Sequence, residues 1–161
     1  MDQRLDLFAA TPPLEAKKLL FSLAVSRRAQ SGQSCKLMFI DIKRAYFHAK
    51  AIRDVYVCLP EQDYVEGMCG KLDKAMYGTR DAAQNWEREY ESAFLNLGFK
   101  QGASSPCLFY NEQKDLRVVV HGDDMTCLGD EPNLQWLSNE LKKVYDLKIR
   151  AILGPDPRDD R

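Results

Sequence analysis

The stretch VVVHGDDMTCLG, at residues 118–129, holds two apolar runs on either side of a paired carboxylate. Both runs are strand-prone and Gly-Asp is a favoured two-residue turn, so the stretch predicts a β-hairpin with Asp123 and Asp124 at its tip. Asp is common in turns because its side chain caps backbone groups, and a solvated turn is therefore one interpretation. The other is a cation site, because two carboxylates at a rigid tip can share a hard cation such as Mg²⁺. A third ligand from elsewhere in the chain is needed to decide.

The composition describes an ordinary globular domain. The chain has 161 residues, 45% of them hydrophobic and 29% charged, and its 24 acidic residues nearly cancel its 23 basic ones. No overall field therefore indicates a nucleic-acid or anionic-membrane partner. Five cysteines without a CxxC pair suggest neither a zinc site nor a disulfide framework, and they favour free thiols in a reducing intracellular compartment. With no signal peptide and no membrane-span pattern, we predict one soluble intracellular domain without membrane association.

The apolar periodicity predicts helices alternating with strands. A helix opens with Thr11 as N-cap and stops at Gly32, and a strand buried on both faces follows at 35–42 with Asp41 near its end. Further strands are expected at 54–60 and on both sides of a polar turn within 107–121, with helices at 80–98 and 131–148. Helices on an antiparallel or mixed sheet make an α+β domain. We expect the polar, proline-broken end to fray from about residue 152 to residue 161.

Three acids are candidates for one site. Asp41 lies at a strand end and Asp123 with Asp124 at a hairpin tip, and neighbouring strands of one sheet could bring them together. Clustered carboxylates are costly unless cations neutralise them, and a pair of Mg²⁺ ions about 4 Å apart is an established solution. The reaction implied by such a pair is phosphoryl or nucleotidyl transfer.

Four segments carry a family resemblance. KLMFIDIKRAYFHAKAIRDVYVCLP (36–60), KLDKAMYGTRDAAQNW (71–86), LGFKQGASSPCLFY (97–110) and the hairpin with its following helix resemble, in order, the palm region of Copia/Ty1-type retrotransposon reverse transcriptases. The resemblance runs from about residue 11 to about residue 150. It implies a polymerase palm-like sheet with packed helices and a GDD β-hairpin. It also implies RNA-directed DNA polymerase activity by a two-metal mechanism.

Carried over position by position, the resemblance implies that Asp41, Asp123 and Asp124 are catalytic. With the backbone carbonyl of Ile42 they would bind two Mg²⁺ or Mn²⁺ ions. Tyr46 matches the steric gate against a 2′-hydroxyl, with a core aromatic as the alternative interpretation.

Tyr77, Gly78 and Arg80 match the block that contacts the nucleotide and template, although Arg80 could equally be a solvated helix-start cation. Lys148 matches a lysine late in the palm that is a proposed general acid for pyrophosphate. The alternative interpretation is an ordinary lysine at a helix end. The chain departs from the family at the primer-positioning hairpin, where His121 and Gly122 replace Tyr and an apolar residue. It also carries Asp81-Ala82-Ala83 where the family has Gln-Ala-Pro, which removes a proline and adds an acid.

The resemblance further implies one reverse transcriptase domain fragment over 1–161, with partial fingers and palm, and without the first fingers strands, thumb or RNase H. Its expected partners are an RNA or DNA template-primer, deoxynucleoside triphosphates, and polyprotein domains such as integrase and RNase H. The expected location is a cytoplasmic virus-like particle or the nucleus. A catalytically inactive retroelement remnant and a small α+β nucleic-acid-binding module are the alternatives.

Overall fold

The computed structural model of the chain describes residues 9–155 and 159. The helices in this part of the chain are α1 (Leu14–Ser26), α2 (Ala82–Asn96) and α3 (Glu131–Lys142). The strands are β1 (Lys36–Ile42), β2 (Tyr56–Val57), β3 (Gly70–Lys71), β4 (Lys100–Gly102), β5 (Ser105–Asn111), β6 (Leu116–His121), β7 (Asp124–Gly129) and β8 (Leu147–Leu153). The predicted α+β class, with helices on an antiparallel sheet, is confirmed.

The chain forms two compact units. One contains Ala45–Tyr90 and holds a two-stranded antiparallel ribbon of β2 and β3. The other contains Ala10–Arg44 and residues 91–155, and it holds a six-stranded antiparallel sheet in the order β4-β5-β6-β7-β1-β8. No helix in the described part of the chain is long and apolar enough to cross a membrane.

Strand β1 lies inside the six-stranded sheet, between β7 and β8. Its apolar run needs cover on both faces, because successive side chains of a strand point to opposite sides. On one face, Ala16 and Leu20 of α1 pack in a cluster with Leu37 of β1. On the other face, Met38 and the two isoleucines of β1 are each only 1% exposed. The predicted buried strand therefore forms as its sequence requires.

The first helix is shorter than predicted. It begins at Leu14 with Pro13 as N-cap and no side-chain capping bond, so Thr11 is not the cap, and it ends at Ser26. Gly32 does not terminate it. With a φ of +79° that residue instead closes a turn in which its N–H donates to the carbonyl of Ala29.

The last predicted helix is also too long, because its final residues form a strand. Asp130 is the N-cap of helix α3 and its side chain accepts a hydrogen bond from the N–H of Asn133, and the helix ends at Lys142. The following segment pairs with β1 as the edge strand β8, which includes Lys148 and the first two residues of the predicted tail. β-branched side chains at Ile149 and Ile152 favour this pairing over a helix. Residues 156–158, 160 and 161 lie outside the described residues.

The predicted strand at 54–60 is reduced to β2, the two residues Tyr56–Val57. Its partner β3 is equally short, so only two positions of the ribbon are paired as strands. Such a short two-stranded pairing has little stability by itself.

Phe94 tests the packing of α2 on the sheet. Its ring is fully buried, stacks on Phe109 of β5 at 4.7 Å between centroids and meets Phe99 edge-on at 5.1 Å. We expect Phe94→Ala to lower the free energy of unfolding by about 3–5 kcal/mol, because it removes buried area and leaves a cavity. Leu95→Ala is the matched control, since Leu95 is 48% exposed and should cost under about 1 kcal/mol. Equal losses for the two variants in urea unfolding would contradict the packing described.

Candidate functional site

The three predicted catalytic acids lie at one end of the six-stranded sheet. Asp41 is directly opposite Asp124 in the register of β1 with β7, and the N–H of Ile42 donates to the carbonyl of Asp123 at 2.9 Å. That bond makes Ile42 and Asp123 a hydrogen-bonded pair, so Asp41 and Asp124 form the adjacent non-hydrogen-bonded pair. Cα atoms in such pairs are about 4.5 Å apart and their side chains lie on the same face. The antiparallel pairing therefore joins Asp41 and Asp124, which are 83 positions apart along the chain.

The turn between β6 and β7 exposes Asp123 and Asp124 to solvent. His121 is opposite Asp124, which leaves Gly122 and Asp123 as a two-residue turn. Gly122 has a φ of +65°, as the first central residue of the favoured hairpin turns requires. Asp123 and Asp124 are both exposed, and the ring Nδ1 of His121 lies 3.1 Å from Nζ of Lys17.

The side chains of the three acids are not drawn together around a common point. Within residues 9–155 and 159, no group of three or more His, Cys, Asp or Glu side chains is placed to hold a metal ion. Asp41 instead forms an ion pair, with its Oδ2 at 3.1 Å from Nη2 of Arg150. The donor chemistry suits Mg²⁺, since carboxylate oxygens on adjacent strands are the ligands that hard cations prefer. Binding a cation at Asp41 requires competition with Arg150.

Arg150 reaches Asp41 through an irregularity in β8. Phe39 pairs with Ala151 and Ile40 pairs with Ile149, so Arg150 is the extra residue of a β-bulge. Bulges redirect a side chain and are frequent beside active sites. Sequence reasoning missed Arg150, because a bulge is a property of the paired strands and no local sequence pattern predicts it.

Lys148 also lies beside Asp41. It is the residue opposite Asp41 in the β1–β8 register and its side chain is exposed. The predicted helix-end position is wrong, since Lys148 belongs to a strand. The role of general acid implied by the resemblance does not require that Lys148 lie in a helix.

Two of the predicted substrate-binding residues in the other unit, Tyr46 and Tyr77, form an aromatic cluster with Phe47. Tyr46 lies in a short 3₁₀ helix (Ala45–His48) and stacks on Tyr77 at 4.3 Å between ring centroids, and Phe47 meets Tyr77 edge-on at 5.6 Å. Tyr46 is half-buried, whereas Tyr77 is 47% exposed. Gly78 has a φ of +90°, which turns the chain after Tyr77, and Arg80 is exposed.

Asp81, the acid that departs from the family pattern, does not carry a free charge. It is 7% exposed, its Oδ1 lies 2.9 Å from Nη2 of Arg53, and the side-chain amide of Asn85 donates to its Oδ2 at 3.2 Å. The contact with the Arg53 guanidinium outweighs the effect of burial and holds the pKa of Asp81 below its ordinary value. Its negative charge is therefore compensated inside the unit.

The acid stability of the chain should depend on Asp81. A carboxylate whose pKa is lower in the folded than in the unfolded state stabilises the fold above the unfolded pKa of about 4, and the effect is lost as pH falls through the folded pKa. We expect Asp81→Asn to unfold more easily than the parent at pH 7. Its stability should also fall less than the parent's between about pH 5 and pH 2, as measured by urea unfolding followed by fluorescence.

Asp54→Asn serves as the control for that measurement. Asp54 is 64% exposed and pairs with Lys71 at 2.7 Å, so its loss should change little. If the acid dependence of Asp81→Asn matches that of the parent, the Arg53–Asp81 pair is not the stabilising contact.

Sequence comparisons relate the chain to retrotransposon polyproteins. It is 26% identical over 157 residues to the retrovirus-related Pol polyprotein from transposon TNT 1-94 of Nicotiana tabacum, covering 93% of this chain and 11% of the relative. It is 27% identical over 133 residues to that from transposon RE1 of Arabidopsis thaliana, covering 79% and 8%. It is 28% identical over 112 residues to the truncated transposon Ty1-A Gag-Pol polyprotein of Saccharomyces cerevisiae, covering 68% and 9%.

The chain thus spans about a tenth of the length of these curated relatives. No solved structure matches it. The family model described as reverse transcriptase (RNA-dependent DNA polymerase) matches residues 2–154, almost the whole chain. The protein therefore belongs to the reverse transcriptase family, in the form found in the Pol polyproteins of Copia/Ty1-type retrotransposons.

Proposed function

We propose that the chain is the palm region of a Copia-like reverse transcriptase and adds deoxynucleotides to a primer as directed by an RNA or DNA template. In this proposal the six-stranded sheet is the polymerase palm and β6 with β7 is its GDD hairpin. The observation that carries the proposal is the position of Asp41 opposite Asp124, with Asp123 in the adjoining turn. Family membership supports the same reaction.

We propose that Asp41 and Asp123 hold two Mg²⁺ or Mn²⁺ ions, assisted by Asp124 and the backbone carbonyl of Ile42. The ions supply positive charge that favours attack by the primer 3′-hydroxyl on the α-phosphate and departure of pyrophosphate. The exposed hairpin supports this assignment, because a long, charged template-primer must approach the acids from solvent. The strand register supports it as well, since it sets Asp41 directly opposite Asp124.

The remaining site residues have proposed roles in binding and proton transfer. Tyr46 would lie beneath the sugar and exclude a 2′-hydroxyl, held in place by its stacking on Tyr77. Gly78 and Arg80 would contact the nucleotide and template. Lys148 would donate a proton to the leaving pyrophosphate, and its position opposite Asp41 supports that role.

The proposed partners are a template-primer, deoxynucleoside triphosphates and other domains of a Gag-Pol polyprotein, integrase and RNase H among them. Phosphate contacts dominate the affinity of polymerases for nucleic acid, and the chain's nearly balanced charge leaves those contacts to local side chains. We propose that the protein acts in cytoplasmic virus-like particles or in the nucleus.

A catalytically inactive remnant of the same family is the second candidate. The ion pair between Asp41 and Arg150 favours it, because the arginine provides the positive charge that a cation would otherwise supply. A sheet that binds nucleic acid by stacking is less favoured. Phe109 is 2% exposed, and Phe39 packs against the cluster beneath α1.

Metal titration is the first test of the proposed function. In calorimetry with Mn²⁺, we expect saturable binding by the parent chain and a loss of at least tenfold in affinity in both Asp41→Asn and Asp123→Asn, because each removes a carboxylate ligand. Extension of a DNA primer on an RNA template by the parent chain, and none by Asp123→Asn, would establish the polymerase activity.

Glu112→Gln is the matched control for these variants. Glu112 is exposed and follows β5 at the far end of β6 from the hairpin acids, so its loss should leave Mn²⁺ affinity unchanged. Binding that survives both aspartate substitutions would refute the metal site. Metal binding without primer extension would favour the inactive remnant.

Arg150 should weaken cation binding at Asp41. A partly exposed ion pair contributes about 0.2–1 kcal/mol, so Arg150→Gln should tighten Mn²⁺ binding by up to about fivefold. Lys100→Gln removes the same charge from an exposed lysine paired with Glu112 and should have no such effect. Weaker binding in Arg150→Gln would show instead that the arginine orients Asp41 for the metal.

A further inference from the structure

Two exposed cysteines flank the ribbon of β2 and β3. Tyr56 is opposite Lys71 and Val57 is opposite Gly70, so the next step of the same register brings Cys58 opposite Cys69. Both thiols are free and exposed, whereas Cys35, Cys107 and Cys127 are buried. The sequence shows no CxxC spacing, and only the strand pairing brings these two positions together.

The hydrogen-bond pattern of the ribbon gives the spacing of the pair. The N–H of Leu72 donates to the carbonyl of Val55 at 2.9 Å, which makes these two residues a hydrogen-bonded pair. Hydrogen-bonded and non-hydrogen-bonded pairs alternate along an antiparallel ribbon, so Cys58 and Cys69 occupy a non-hydrogen-bonded position. Cα atoms at such positions are about 4.5 Å apart, which is within the range of roughly 4.4–6.8 Å that a disulfide requires.

The two thiols also share a face of the ribbon. A Cβ placed on Gly70 would lie 3.4 Å from Cγ2 of Val57 and 3.3 Å from Cδ2 of Leu59, so both of these side chains lie on the side of position 70. Side chains alternate between faces along a strand, which places Cys58 and Cys69 together on the opposite side. Register, hydrogen-bond phase and face therefore agree.

We propose that Cys58 and Cys69 are a thiol-oxidation site that forms a reversible disulfide across the ribbon. The oxidant is a low-molecular-weight disulfide of the glutathione class. The thiolate of one cysteine attacks a sulfur of the oxidant and releases one thiolate, and the thiolate of the other attacks the mixed disulfide and releases the second. The two protein thiols thus lose two protons and two electrons, and the oxidant becomes two thiols.

Exposure makes the reaction selective for this pair. Thiol exchange proceeds through a thiolate that the oxidant can reach, and burial raises the pKa of the Cys127 thiol to about 12 and also raises that of Cys35. The product would tie together a ribbon whose strands are two residues long, so oxidation should make this region more rigid. In a reducing compartment the pair stays reduced, and it closes when the ratio of oxidised to reduced glutathione rises.

The test is intact mass and peptide mapping of the full chain after incubation with glutathione disulfide. Remaining thiols are alkylated after denaturation and the chain is digested without reductant. We expect a product with three alkylated cysteines, no retained glutathione and one cross-linked peptide pair joining Cys58 to Cys69, all reversed by dithiothreitol. Cys58→Ser and Cys69→Ser should each retain one glutathione on the remaining exposed thiol.

Other results would overturn the proposal. They are five alkylated cysteines, a cross-link to a buried cysteine, or a parent chain that carries glutathione separately on Cys58 and Cys69 without closing the bridge. Both serine variants change exposed side chains, so they should fold like the parent. None of these results depends on metal binding or polymerase activity, so the proposal stands or falls separately from the proposed function.

Discussion

The candidate active site depends on the antiparallel pairing of β1 with β7. The bond from the N–H of Ile42 to the carbonyl of Asp123 sets the end of that pairing, and it makes Asp41 and Asp124 the next facing pair. A slip of one residue would turn Asp41 to the other face of the sheet and bring the buried Ile40 or Ile42 into its place, because side chains alternate with a period of two. Burial of the apolar residues of β1 therefore holds the carboxylates in register.

Positively charged side chains around that pairing offset the negative charge of Asp41. Asp41 has Arg150 in contact and Lys148 opposite it, and both come from the edge strand β8. The bulge in β8 is what directs the arginine to the carboxylate. In a polymerase, the side chains of Arg150 and Lys148 can stabilise the phosphates of the substrate. In an inactive remnant, they can instead neutralise Asp41 in place of metal ions.

The second unit has its own internal constraints. Its buried Asp81 is compensated by Arg53 and Asn85, so the acid that departs from the family pattern is a structural element of this unit. Tyr46 and Tyr77 stack in the same unit, which gives the two residues matched to nucleotide binding a common support. The short ribbon with Cys58 and Cys69 is held by few backbone hydrogen bonds. A disulfide would therefore increase its rigidity more than that of any part of the six-stranded sheet.

Local patterns were sufficient to predict much of this protein. The continuous apolar run at 35–42 and the Gly-Asp turn between strand-prone flanks predicted β1 and the pairing of β6 with β7, and motif order identified the reverse transcriptase family. Features that depend on contacts between distant segments could not be predicted in this way. Lys148 was assigned to a helix end and Arg150 was overlooked, because the residues of β8 become a strand only by pairing with β1. Likewise, Cys58 lies opposite Cys69 only through the register of β2 with β3. The sequence alone determined the family and the candidate site residues, whereas tertiary pairing decided which of these residues are neighbours, because strand hydrogen bonds join positions that no local pattern relates.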